Sequence, residues 1–134
     1  MIISSAKRVP IPSAEDMAAA AVAYFGEHAR VLGDLGRPET DQSINVTRPG
    51  EPGFMIDRSR NGFSLSCDGT REQNAEVAAW YRSLLPPDFP RLIAYDSGWG
   101  WHVDVVHGIT AEQFLTNIVD HDTPGWNDND PDLA

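Results

Sequence analysis

Three local groupings hold side chains of the kind that acid–base or metal chemistry uses. In His102-x-Asp104 an imidazole and a carboxylate stand on one face of a strand, because alternate strand residues share a face. Such a pair can act as a general base or as two metal ligands. His107 beyond it has the opposite parity unless the strand bulges, and no serine or cysteine at a recognisable elbow supplies a nucleophile. Asp120-His121-Asp122 offers two oxygens and one nitrogen to a divalent ion, but adjacent residues seldom converge on a single metal. Asn127-Asp128-Asn129-Asp130 has the composition of a calcium loop without its spaced glycine or its closing bidentate glutamate. The expectation is therefore no metal, no cofactor and no catalytic residue, with His102 and Asp104 as solvated residues on the outer face of a sheet. A small metal-dependent hydrolase using His102, Asp104 and His107 is the alternative.

Other chemistries find little support. The single cysteine, Cys67, excludes an internal disulfide, and its neighbours Ser66 and Asp68 give it no cationic activation, so a buried structural thiol is expected. The chain holds no glycine-rich phosphate loop, dinucleotide fingerprint, His-Glu-x-x-His or Gly-x-Ser-x-Gly motif. Phosphate binding needs clustered bases, and the only local grouping is Arg58-Ser59-Arg60 with Arg48 nearby, so no nucleic-acid partner is expected. No apolar run approaches the ~20 residues that span a bilayer. Lys7 and Arg8 follow a very short apolar stretch, the reverse of a secretory signal, which predicts a cytoplasmic protein.

The charge is unevenly placed. Residues 92–134 carry eight carboxylates and no Lys or Arg, whereas residues 1–91 carry 12 acids and 10 bases, so most of the net charge of −10 comes from the last third. Three of the four tryptophans lie in that same stretch. A local negative field set with aromatic anchors suits a basic protein partner, and the candidate contact residues are Asp96, Trp99, Trp101, Asp104, Asp120, Asp122, Trp126 and Asp128. Gly98-Trp99-Gly100-Trp101 is the most unusual local sequence: if Trp101 faces the core, Trp99 sits in a turn and is partly exposed. Its bland use would be a lid over the sheet edge, and a sugar-stacking platform would want more hydroxyls and amides than Ser97 provides.

These residues must be positioned by a fold of mixed class. Ser13 with Asp16, Thr70 with Gln73, and Thr110 with Gln113 are helix-start signals, predicting helices over about 14–32, 71–85 and 111–119. Period-two patterns predict strands over 43–47, 53–57 and 62–68, with Asn61-Gly62 as a hairpin turn, and a second hairpin from 91–95 to 101–106 through residues 96–100. The predicted order α-β-β-β-α-β-β-α is an α+β domain over residues 1–120, with a mainly antiparallel sheet of about five strands and two or three helices on one face. Residues 121–134 read as an acidic, flexible tail.

Ala75-Glu76-Val77-Ala78-Ala79-Trp80-Tyr81-Arg82-Ser83-Leu84-Leu85-Pro86-Pro87, then Leu92-Ile93-Ala94-Tyr95-Asp96 and Val103-Asp104-Val105, resembles a segment of the small immunity proteins encoded beside bacterial polymorphic toxins. The resemblance spans about residues 75–105, and nine Arg against one Lys fits a high-GC bacterial source. It implies a non-enzymatic protein that binds and neutralises a cognate toxin domain, one with a basic active-site cleft. A non-inhibitory adaptor for a basic partner is the remaining alternative.

Overall fold

The computed structural model describes residues 1–5 and 7–133. Its helices begin where the capping residues place them. In α1 (Ala14–Phe25) the Ser13 hydroxyl accepts from the Asp16 amide, and α2 (Arg71–Ser83) and α3 (Ala111–Thr116) each open with a reciprocal capping box, Thr70 with Gln73 and Thr110 with Gln113. The first helix is shorter than predicted. Gly26, at φ 62°, ends it, a 3-10 turn follows over Gly26–His28, and the remaining residues form β2 (Ala29–Gly33), in which Val31 pairs with Ile44. Met17, Ala21 and Phe25 make the buried stripe of α1, while Tyr24 turns outward and donates to Glu76 of α2. Buried Arg82 closes α2 by donating to the carbonyls of Leu85, Pro86 and Pro87.

The strands are β1 (Ile2–Ser5), β2, β3 (Thr40–Val46), β4 (Phe54–Ser59), β5 (Ser64–Cys67), β6 (Leu92–Tyr95), β7 (Trp101–Asp104) and β8 (Val119–Asp120). They form one sheet in the order β2-β3-β4-β5-β1-β6-β7-β8, antiparallel at every pairing. The α+β class and the antiparallel sheet are as expected. The count of about five strands and the order α-β-β-β-α-β-β-α are corrected, because β1, β2 and β8 were not foreseen. β1 matters most, since it is inserted between β5 and β6 and joins the two halves of the sheet, with Ile3 opposite both Leu65 and Ala94. Both partners are remote in sequence, so no local turn signal announces it. The turn between β4 and β5 also differs: of Asn61 and Gly62 only Gly62 has positive φ, and Gly62 N–H donates to Ser59 O.

Strand alternation divides the sheet into two faces. Ile3, Ile44, Phe54, Ile56, Leu65, Leu92 and Val103 point into one hydrophobic core with Met17, Phe25, Val77, Tyr81 and Phe114 of the helices. The other face bears no helix. Its centre is polar, with Ser4, Ser64, Ser66, Asp57 and Ser43 in register. At the β6–β7 end it presents Ile93, Tyr95, His102 and Asp104, and residues 121–133 cross it as successive turns.

Candidate functional site

The hairpin loop between β6 and β7 is built around Asp96. Its backbone carbonyl accepts from Trp99 N–H at 3.0 Å, and its Oδ1 accepts from the amides of Gly100 at 2.5 Å and Trp101 at 3.4 Å. This closure forces Trp99 into the left-handed region at φ 55°, a conformation that costs a tryptophan about 1–2 kcal/mol. Trp99 is 38% exposed and leans on the edge of Tyr95, ring centroids 5.4 Å apart.

The C-terminal segment fixes the other side of the loop. His121 N–H donates to Gly100 O, and His121 Nδ1 lies 2.6 Å from Trp99 O. A carbonyl only accepts, so His121 Nδ1 carries a hydrogen. With both rings neutral, His121 Nε2 then accepts from His102 Nδ1 at 2.7 Å, and His102 Nε2 keeps its lone pair. Trp126 stacks on His121 at 3.7 Å and stands edge-on to Trp99 at 6.2 Å. The result is a cluster of Tyr95, Trp99, His102, His121 and Trp126 on the helix-free face.

Beneath it lies a second, ionic cluster. Arg91 donates two bonds to Asp104, at 2.6 and 3.1 Å, and two to Asp130, at 2.8 and 2.7 Å, with Asp132 at 3.7 Å. The guanidinium holds the Asp130 carboxyl below its ordinary value, and these carboxylates raise the Arg91 pKa further. His102, 3% exposed, is held below the ordinary imidazole value of 6.5 chiefly by burial; Asp104 pulls against that shift, and His121 adds to it. The expectation that His102 would be a solvated outer-face residue is thus corrected, because the chain end covers it.

Ligand atoms of His102, Asp104 and Asp130 lie within 4.8 Å of one another, a spacing that a divalent ion could draw together. The cation already shared by both carboxylates is Arg91. His107 stays outside this group, exposed in the turn after β7. Among the described residues no hydroxyl or thiol is hydrogen-bonded to His102 or His121, so no nucleophile–base pair is formed. Cys67 is buried in the core, its thiol pushed up to about 11 by burial.

Of the residues picked out from the sequence, Trp99 and Trp126 come together, with His121 between them. Asp96 and Asp104 are already engaged, one by the loop amides and the other by Arg91. Asp120, Asp122 and Asp128 are exposed, Asp120 accepting from the Asp122 amide. Trp101 turns to the helix side against Phe114, away from Trp99. The sequence did not reveal Arg91, its pairing with Asp130, Tyr95 or the His102–His121 bond. Arg91 had a signal: it is the last base before 43 residues that contain none, so acids beyond it in that stretch have it as their nearest partner along the chain.

Compared with known proteins, the chain matches no family model, no curated protein and no solved structure. Among the described residues no helix is long and apolar enough to cross a membrane.

Proposed function

We propose that this chain is an immunity protein, which neutralises a bacterial toxin by seating its acidic, tryptophan-bearing end in a basic cleft of the toxin domain. The observation that carries this reading is Trp99: a large aromatic side chain, partly exposed, in a strained backbone conformation pinned from both sides by Asp96 and His121. Strain of that kind persists only where surrounding contacts enforce it, and it is found at functional sites. A pre-ordered aromatic loses little entropy on binding, and aromatics in desolvated patches dominate many interfaces. Asp120, Asp122 and Asp128 supply outward charge that steers a cationic partner. In this reading Trp99 and Trp126 make contact, whereas Asp96, Asp104, His121 and Arg91 position them.

The experiment is a pull-down of the C-terminal domain of a toxin encoded beside this gene, followed by assay of that domain's activity with the protein added. Binding with loss of toxin activity supports immunity. Binding without inhibition indicates an adaptor, and no binding removes the reading.

A second reading, a metal-dependent hydrolase, draws on the proximity of His102, Asp104 and Asp130. It requires an ion to displace or tolerate the Arg91 guanidinium. Metal analysis of the purified protein, with His102→Ala as control, tests it directly.

A further inference from the structure

A cleft opens on the helix-bearing side, where the first turn of α2, the end of α3 and the β6–β7 loop meet. Its volume is about 260 Å³, below the ~300 Å³ at which sites for drug-sized ligands begin, so it suits one small metabolite. Apolar side chains from separate segments line it: Trp101 starts β7, Phe114 belongs to α3, and Ile118 follows α3. Phe114 is 1% exposed and stands edge-on to Trp101, ring centroids 6.3 Å apart. Two crossed rings beside a branched aliphatic chain make a wall for an aromatic or branched side chain.

Three polar side chains share this lining, and the protein leaves each of them with an unmet bond. Arg71, exposed at the start of α2, makes no ion pair and no side-chain hydrogen bond with Asp96 or any other described residue. By contrast, Arg37, Arg48, Arg58, Arg60 and Arg91 each hold a carboxylate. Asn74, three residues after Arg71 and so on the same side of α2, has its Oδ1 buried without a hydrogen-bond partner. A buried acceptor of that kind costs free energy until a donor reaches it. Asp96 gives Oδ1 to the amides of Gly100 and Trp101 and leaves Oδ2 without a partner.

We propose that this cleft binds one free amino acid with a large apolar side chain. Arg71 calls for an anionic end, because its planar guanidinium takes a carboxylate through two parallel bonds. Asp96 Oδ2 and Asn74 Oδ1 call for a donor, and an ammonium group carries three N–H bonds to divide between them. Trp101, Phe114 and Ile118 take the apolar remainder.

Simpler ligands meet only part of this lining. A neutral apolar molecule leaves the guanidinium, the carboxylate and the amide without partners, which is costly once water is displaced. A plain carboxylate brings its charge against Asp96, and a plain amine brings its charge against Arg71. Only a zwitterion of modest size carries both charges on one carbon beside an apolar side chain. Trp99 and Trp126 lie on the opposite, helix-free face, so the cleft is separate from the surface assigned to the toxin and shares only Asp96 with it.

Calorimetric titration of L-phenylalanine and L-leucine into the full chain tests it. Two derivatives separate the charges: N-acetyl-L-phenylalanine lacks the ammonium, and L-phenylalaninamide lacks the carboxylate. At least one of the two amino acids is expected to bind saturably at one site per chain, glycine not at all, and each derivative at least ~10-fold more weakly than its parent. Arg71→Gln, at an exposed helix position, should retain the far-UV spectrum and thermal midpoint and weaken amino-acid binding at least ~10-fold. Asp96→Asn keeps an oxygen for the loop amides while removing the charge, and it should bring phenylalanine and its N-acetyl derivative to within about 3-fold of each other. No saturable binding of either amino acid up to its solubility limit would overturn the proposal. So would derivatives that bind as tightly as phenylalanine, or a folded Arg71→Gln protein with unchanged affinity.

Discussion

Trp99 and His102 meet through His121, and each makes a separable prediction. Because Trp99 sits at φ 55°, glycine suits its backbone better than any L-residue. Trp99→Gly and Trp99→Ala lose the same aromatic contacts, yet the glycine variant should be the more stable by about 1 kcal/mol in urea unfolding. Equal stabilities would mean that the loop relaxes and the strain is not enforced. His102 is held below 6.5 mainly by burial, so between 6.5 and its folded value the unfolded chain binds a proton that the folded chain does not. Its contribution is complete above pH 6.5 and declines as pH falls through that window. Asp130 is depressed by Arg91, so its contribution is complete above the ordinary value of 3.8 and is lost as pH falls from there through its still lower folded value. A plot of melting temperature against pH should therefore show two separate acid-side losses. His102→Gln should flatten the first and spare the second.

At the scale of elements, Asp96 ties β6 to β7 and β1 ties the two halves of the sheet. Asp96→Ala removes the acceptor for two loop amides and should cost about 1–3 kcal/mol in chemical denaturation, with faster hydrogen exchange confined to residues 97–101. Ile3 is fully buried between β5 and β6, and Ile3→Ala should cost about 2–5 kcal/mol in the same measurement. Uniform exchange across the sheet in the first case, or a loss under 1 kcal/mol in the second, would contradict these roles. The three helix starts and the 92–104 hairpin were legible because their signals are local: a hydroxyl three residues before an amide or acid, and alternation about a glycine-rich turn. β1 and β8 were not legible, since each is short and its partner is chosen by tertiary packing. β2 was hidden for another reason. Its residues continued the apolar spacing of α1, and the positive φ of Gly26 with the 3-10 turn it opens separates the two. The site was partly legible in the same way. The tryptophans and acids stood out by type and crowding, whereas the bonds from Arg91 to Asp130 and from His102 to His121 join residues that only the folded chain end brings together.

The whole molecule is polar along its sheet, with a nearly balanced β2–β4 end and an acidic β6–β8 end. Arg91, on the border of the acidic stretch, is occupied by Asp104, Asp130 and Asp132, and outward carboxylates such as Asp122 and Asp128 keep their field. Association with a basic partner should accordingly slow as salt rises, while dissociation depends on the aromatic contacts. Asp122→Asn with Asp128→Asn should lower the association rate and its salt slope and leave dissociation nearly unchanged, as read by surface-immobilised kinetics. The central claim is that the pinned Trp99 anchors a toxin domain, and calorimetric titration of that domain into wild-type and Trp99→Ala protein tests it most directly. The account predicts binding at least ~100-fold weaker in the variant, a loss of about 2.7 kcal/mol, with the fold intact. Unchanged affinity in a folded Trp99→Ala protein would contradict it.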